Sequence, residues 1–335
     1  MRFTHRPQYI GPALNLYILW NSTSSLLPHT YTATYCPRIH HTYINMVSHQ
    51  HVHPPSSKAP WRPLFQCHIS ILTSPEFSLA TVYRNSSGSA HPRVRTCVFR
   101  GFWTELDLRE TAKELLLKDE ESNRGGINPN VFESDLLTFT TDIRMEKIAQ
   151  MASTEGTDHG NGASGGGPIE AVFWVKDAMT QWRIKGRAFV IGNESCDESE
   201  LWSRENIQRW VRRREGSAEE DITRWTWEKE ITANFANLSP TMRGSFKNPP
   251  PGTPRSEPPS DPSLRLGLTL DDIHDPVARA NFRVVVIVPE EVESVDLTYP
   301  ENFKRMRWTL AKRIEKNEDS GEAGIAIWEA TELWP

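Results

Sequence analysis

Cysteine is scarce in this chain and badly placed for metal or redox work. Cys36, Cys67, Cys97 and Cys196 are widely spaced and form no C-x-x-C pair, so the sequence signals neither a structural zinc site nor a disulfide framework. A reducing compartment, the cytoplasm, is the expected location. Long apolar runs are also missing: the longest, "YIGPALNLYILW", is too short to span a bilayer and is broken by Gly11 and Pro12. A strong charge of either sign is absent, the formal net charge being -5 over 335 residues, which argues against a dedicated nucleic-acid binder. Neither a membrane nor a nucleic acid is expected as a partner.

Acidic residues are absent before Glu76, where histidine, serine, threonine and proline crowd the chain instead. Residues 1–58 are therefore expected to be a disordered extension, or an over-extended start whose true beginning is Met46. Arg2 and Arg6 without acidic neighbours loosely resemble a transit peptide, so mitochondrial targeting is the alternative location. The alternating His49, His51 and His53 have no carboxylate or cysteine near them to complete a ligand set, and no metal is expected.

The ordered domain is expected to span 59–335. Trp61, Leu64, Phe65, His68 and Ile71 share one face of a helix. Short β-rich runs follow at Phe77–Arg84, Arg93–Phe99, Asp135–Thr141, Ile169–Val175 and Gln181–Ile191. A glycine-rich loop (153–168), a helical excursion (about 198–240) and a proline-rich loop (248–263) interrupt the pattern. Strands then return at Asn281–Val288, Val292–Tyr299, Phe303–Leu310 and Gly324–Ala330. Strands joined by turns, with few helices between them, predict a mainly β fold with flanking helices, an antiparallel barrel or sandwich. The basic run Arg212–Arg214, followed at once by "EGSAEED", reads as a solvated helix face.

Three segments carry candidate chemistry. In "VRTCVFRGF", Arg95 shares a strand face with Cys97 and Phe99, while Arg100 falls on the opposite face. A guanidinium in mid-strand calls for an anion. In "FTTDIRMEKIAQM" a strand ends and a helix begins, placing Arg144 and Lys147 where the helix dipole disfavours cations. A bound phosphate relieves that conflict, and so does pairing with Asp142 and Glu146; the segment alone leaves both open. In "QWRIKGR", Gln181 offers an amide with donors and acceptor, with Arg183, Lys185 and Arg187 on the same face, which reads either as a ligand edge or as a polar exposed surface.

Taken together, "RTCVFR", "FTTDIRMEK" and "QWR" resemble, in order, the motifs of the pyridoxamine 5′-phosphate oxidase-related FMN-binding split-barrel family. The resemblance covers about Ala59 to Pro335 and implies a split β-barrel that binds FMN. It assigns FMN contacts to Arg95 and Arg100, to Thr140, Thr141 and Lys147, to Gln181, and to Arg307 in "NFKRMRW". Two departures stand out: Met145 replaces a serine of the phosphate site, and Phe303 replaces the arginine associated with substrate phosphate. Arg243 and Ser245 only loosely echo the family's substrate-binding run. The resemblance thus implies an FMN-dependent oxidoreductase of undefined substrate, acting as a homodimer that builds the flavin site between subunits. A flavin-binding or sensor protein without turnover is the alternative, ahead of true pyridoxamine 5′-phosphate oxidase or a purely structural barrel. No catalytic acid or base is assigned.

Overall fold

In the computed structural model, which describes residues 52–53, 55, 57–153, 166–192, 198–259, 261–317 and 321–335, the turn-bounded apolar runs become long antiparallel strands. The elements are, in chain order, β1 (Val52–His53), α1 (Arg62–Ser70), β2 (Glu76–Arg84), β3 (Ala90–Phe102), α2 (Glu110–Glu121), β4 (Phe132–Ser134), β5 (Leu137–Asp142), α3 (Glu146–Ser153), β6 (Gly167–Val175) and β7 (Thr180–Ile191). After these come α4 (Glu198–Gln208), β8 (Val211–Arg213), α5 (Glu219–Arg224), α6 (Trp227–Ala236), α7 (Pro240–Ser245), α8 (Pro276–Asn281), β9 (Phe282–Asp296), β10 (Lys304–Asn317) and β11 (Gly321–Leu333).

Six strands close into a ring in the order β9, β5, β3, β2, β6, β7 and back to β9, every neighbouring pair antiparallel. Closure removes the exposed sheet edges that an open sheet of this length leaves. β10 and β11 continue from β9 outside the ring, and β1 lies parallel to β11. The fold is the antiparallel split barrel with flanking helices that the motif resemblance implies.

β9 explains the geometry. The sequence pattern suggests two strands between Asn281 and Tyr299, but one strand of 15 residues runs through. Its first half pairs with β5 on one edge, its second half pairs with β10 on that same edge, and β7 follows it along the other. "VVVIV" does not alternate with polar residues because both faces are buried. Val285 and Ile287 enter the barrel core, while Val284, Val286 and Val288 enter a second core under the helices. The β7–β9 ladder slips between Lys185 and Gly186, opposite Pro289. A Cβ at Gly186 comes within 2.1 Å of the Val288 carbonyl oxygen, so glycine is required there.

The interior is plugged by α1. Phe65 is fully buried and meets Phe99, Phe102, Phe173 and Trp182 edge-on at centroid distances of 5.2 to 6.2 Å. The first turn of α1 is fixed by Asp135, which accepts from the Ala59 amide (3.1 Å) and pairs with buried Arg62 and with Arg212 (2.7 Å). The reading of Arg212–Arg214 as a solvated helix face is corrected here. Arg212 and Arg213 lie in β8, which pairs with β4, and Arg212 is buried against Asp135 and Glu133. Acidic residues distant in sequence hold Arg212 and Arg214, while exposed Arg213 pairs with Glu219 of the adjacent "EGSAEED" (2.9 Å).

α2 and the helices of the excursion cover the outer faces of β7 and β9. α2 had not been anticipated, although Ala112 and Leu116 are spaced four apart and both are buried. The predicted extension 1–58 lies outside the described residues except for 52–53, 55 and 57–58, as do the histidine run apart from the backbone at His53 and residues 154–165 of the glycine-rich loop. Among the described residues, no helix is long and apolar enough to cross a membrane.

Glu230 of α6 is buried in the second core, and burial pushes its carboxyl above the usual range despite hydrogen bonds from Asn128 Nδ2 (3.0 Å) and the Thr104 amide. The folded state therefore holds this proton more tightly than the unfolded chain. Its contribution to stability is fullest below the ordinary glutamate pKa and declines as pH rises towards the folded value. Glu230→Gln is accordingly expected to raise the melting temperature at pH 8 and to change it little at pH 4, as read by thermal unfolding at the two pH values. An equal shift at both contradicts the assignment.

Candidate functional site

β3 alternates Arg95, Cys97 and Phe99 towards the barrel interior, and Arg95 emerges at the end that α3 covers. Its Nη1 donates to Thr81 Oγ1 (2.7 Å) and the Leu79 carbonyl (3.2 Å), and its Nη2 to Gln150 Oε1 of α3. On β5, Thr141 has the same inward parity as Phe139, and its Oγ1 accepts from Lys147 Nζ at 2.9 Å. The strand end of β5 and the first turn of α3 thus bring Thr141 and Lys147 to the place where Arg95 arrives from β3.

The electrostatics are unusual. Burial holds the Lys147 ammonium below its ordinary pKa, and Arg95 lowers it further. Burial likewise lowers Arg95, while nearby Cys97 and Glu146 oppose the shift. The nearby Cys97 thiol is pushed up by burial, against the pull of Lys147 and Arg95. Among the described residues neither Arg95 nor Lys147 is ion-paired; their polar contacts are hydroxyls, an amide and carbonyls. Two partly buried cations without a carboxylate are unfavourable unless an anion joins them.

The alternatives left open for "TTDIRMEK" resolve differently for its two cations. Arg144 follows the pairing alternative, but with Asp142 and not Glu146. Its Nε and Nη2 reach Asp142 Oδ1 (2.9 Å) and Oδ2 (2.6 Å). The same guanidinium donates to the Asn248 carbonyl (3.0 Å) and the Phe246 carbonyl (3.3 Å) just beyond α7. Lys147 pairs with no carboxylate among the described residues and bonds the Thr141 hydroxyl instead.

The other expected residues occupy two further places. A bulge in β3 between Phe99 and Gly101, where Gly101 has φ +119°, turns Arg100 outwards under α7. There its Nη2 approaches Met242 Sδ (3.6 Å), its Nε is buried without a partner, and burial followed by Arg109 lowers its pKa. Thr140 faces outwards on β5, opposite in parity to Thr141. Gln181 also points out of the barrel, since its neighbours Trp182 and Ile184 fill the core. It lies in register with Val295 and, through it, Arg305; one step along, Arg183, Glu293 and Arg307 are aligned across β7, β9 and β10. Arg307 bonds Glu293 Oε1 through Nε (2.6 Å), Arg305 bonds Oε2 (2.7 Å), and Arg183 bonds Glu170 (2.7 Å).

Gln181 and Arg307 therefore share one outward face, whereas Arg95, Thr141 and Lys147 meet at the barrel end under α3. β3 and β7 are three strands apart in either direction around the six-stranded ring, on opposite walls. Two groups around the cradle had not been anticipated. Thr81 was visible as an inward position of β2, and Gln150 stands three residues after Lys147 on the α3 face that covers Arg95. Arg243, which loosely echoed a substrate residue, is buried and spends its donors on the carbonyls of Leu270 (2.8 Å), Ala236 (3.0 Å) and Leu238 (2.6 Å).

Residues 58–192 match the family model described as pyridoxamine 5′-phosphate oxidase, FMN-binding domain. No curated protein sequence matches the chain. Among solved structures, the chain is similar to a pyridoxamine 5′-phosphate oxidase-related, FMN-binding protein from Nostoc punctiforme, with 19% identity, 83% of this chain and 100% of that chain covered, and a TM-score of 0.45. It is also similar to PhzG from Burkholderia lata, solved with tetrahydrophenazine-1-carboxylic acid, with 13% identity, 84% and 94% covered, and a TM-score of 0.40. General Stress Protein 26 from Bacillus anthracis is a further likeness, at 12% identity, 69% and 92% covered, and a TM-score of 0.25.

Proposed function

We propose, for a chain that carries a pyridoxamine 5′-phosphate oxidase FMN-binding domain at residues 58–192, that it is an FMN-dependent oxidoreductase whose flavin sites lie between the two subunits of a homodimer. The observation that carries the reading is the pair Arg95 and Lys147, partly buried side by side and not ion-paired. A phosphate fits it: three acceptor oxygens meet one guanidinium, one ammonium and the Thr141 hydroxyl, and the charge offsets the burial of both cations. Met145, exposed in the turn before α3, adds no hydroxyl, so the cradle depends on fewer groups than the family pattern supplies.

FMN, when bound, supplies the redox chemistry, and the protein binds and orients it. Gln181 offers an amide for the polar edge of the ring. Arg183 and Arg307 bring positive charge to the same face, each already balanced by Glu170 or Glu293. Since Gln181 points outwards from the wall opposite Arg95, one copy supplies the phosphate cradle and the other the ring edge. Oxidation of a vitamin phosphate ester is the weaker reading, because Arg243 is committed to backbone carbonyls and Phe303 stands where a substrate arginine is expected.

Removing Arg95 or Lys147 leaves part of the phosphate charge uncompensated, a loss of about 1.5–3 kcal/mol each, or roughly ten- to hundred-fold in FMN affinity. Fluorescence titration of Arg95→Ala and Lys147→Ala is expected to show that loss for FMN and a much smaller one for riboflavin. Equal losses for both flavins, or none, count against the phosphate assignment.

The dimer has its own test. Lys147→Ala subunits mixed with Gln181→Ala subunits are expected to regain a fraction of intact flavin sites that neither variant shows alone. A monomer in sedimentation that still retains one FMN per chain contradicts a shared site.

A further inference from the structure

We propose that Arg144 is a positioning residue of the phosphate cradle: by holding the Asp142 carboxylate in a bidentate pair anchored to the carbonyls of Phe246 and Asn248, it keeps Lys147 available to an anion. The inference rests on the FMN reading for its ligand, but its central contact does not.

The turn between β5 and α3 must hold two opposite charges a few residues apart without letting them cancel. Asp142 is buried, and its field acts on Lys147, favouring the charged ammonium. Both of its oxygens are nevertheless turned to Arg144: Oδ1 accepts from the Arg144 amide (2.8 Å) and Nε (2.9 Å), and Oδ2 from Nη2 (2.6 Å). Lys147 Nζ is left to the Thr141 hydroxyl. A bidentate guanidinium is the side chain best matched to hold a carboxylate in one plane, which a lysine at that position cannot do.

The anchor is stiff. Nη1 donates to the Asn248 carbonyl and Nη2 to the Phe246 carbonyl, which also accepts from Asn281 Nδ2 (2.8 Å). The Asn281 carbonyl in turn accepts from the Ile143 amide (2.8 Å), so the turn is held from both sides. Phe246 is buried against Phe235 and Phe282, and α7 is capped by Ser239 Oγ, which accepts from the Met242 amide. The segment after α7 is thereby connected to the cradle through one side chain. Without Arg144, Asp142 loses its bidentate partner while its field still acts on Lys147, and a carboxylate paired with that ammonium competes with phosphate for it.

Four proteins test this: the full chain, Arg144→Ala, Arg144→Lys, and Arg144→Ala combined with Asp142→Asn. FMN affinity is expected to fall about tenfold or more in Arg144→Ala, to remain reduced in Arg144→Lys, and to recover towards the full chain in the double variant, where the competing carboxylate is gone. Riboflavin affinity is expected to change little throughout. Independently of any flavin, the Lys147 ammonium, followed by NMR of lysine-labelled protein, is expected to titrate at higher pH in Arg144→Ala than in the full chain and to return in the double variant. Unchanged FMN affinity and Lys147 titration in Arg144→Ala, or a double variant no better than the single one, overturns the proposal. If Arg144→Ala does not fold, Asp142→Asn alone decides: FMN binding at least as tight as in the full chain is expected, and a tenfold loss overturns the proposal. A full chain that binds FMN no better than riboflavin, together with the expected Lys147 shifts, removes the FMN reading and leaves the Asp142–Arg144 contact standing.

Discussion

Two like charges brought together under partial burial constrain this molecule more than any other contact. Arg95 and Lys147 repel one another, lose hydration, and have no carboxylate within ion-pair reach among the described residues. Such an arrangement persists only because the surrounding structure fixes it. β3 is held on both edges, by β2 and by β5, and α3 lies across the end of the barrel, lending Gln150 to Arg95. The closed ring prevents the strands from separating to relieve the repulsion. An anion then gains from a site whose cost has been met in folding, which is the general advantage of preorganised charge.

The same ring dictates that the expected ligand contacts are divided. A strand delivers alternate side chains to two faces, and a closed six-stranded barrel turns one of those faces outwards. Arg95 and Thr141 use the inner face at one end, Arg100 the outer face below α7 with Thr140 on the outer face of β5, and Gln181 and Arg307 the outer face of the opposite wall. A set of residues that reads as one site along the sequence therefore becomes three surfaces on one chain. Glu293 shows how the outermost of them is stabilised. It is buried, and its carboxyl is held low by Arg305 and Arg307 despite its burial, so the cations of that face are fixed in place without an external anion.

Much of this was legible in the sequence, for physical reasons. The barrel strands announce themselves through period-two burial, as in β2, where Phe77, Leu79 and Thr81 alternate with exposed or half-buried residues. The meeting of Arg95 with Lys147 was foreshadowed because a guanidinium in an apolar strand and an ammonium in the first turn of a helix are each costly and thus informative, whereas Arg144 lies in the turn before α3. What could not be read depends on partners distant in the chain. Arg212–Arg214 looks like a solvated run until Asp135, Glu133 and Glu105 are brought against it. Arg144 and Lys147 look equivalent until Asp142 takes one of them. α2 is a different case: its buried face is only Ala112, Leu116 and Asp119 among charged neighbours, a thin apolar signal for a helix.

Arg100 shows where the motif and the geometry part. Its partner within "RTCVFR" is five residues away, and an unbroken strand already places the two on opposite faces. The bulge at Phe99–Gly101 goes further by leaving Arg100 and Gly101 both outward before Phe102 returns to the core. Arg100 is thus carried under Met242, with a buried Nε that has no partner and with Arg109 as its nearest charged influence. It thus lies across the sheet from Arg95, which shares the inner face with Cys97 and Phe99. The motif therefore encodes two positive points separated by the thickness of a sheet, and the one-residue bulge sets their separation.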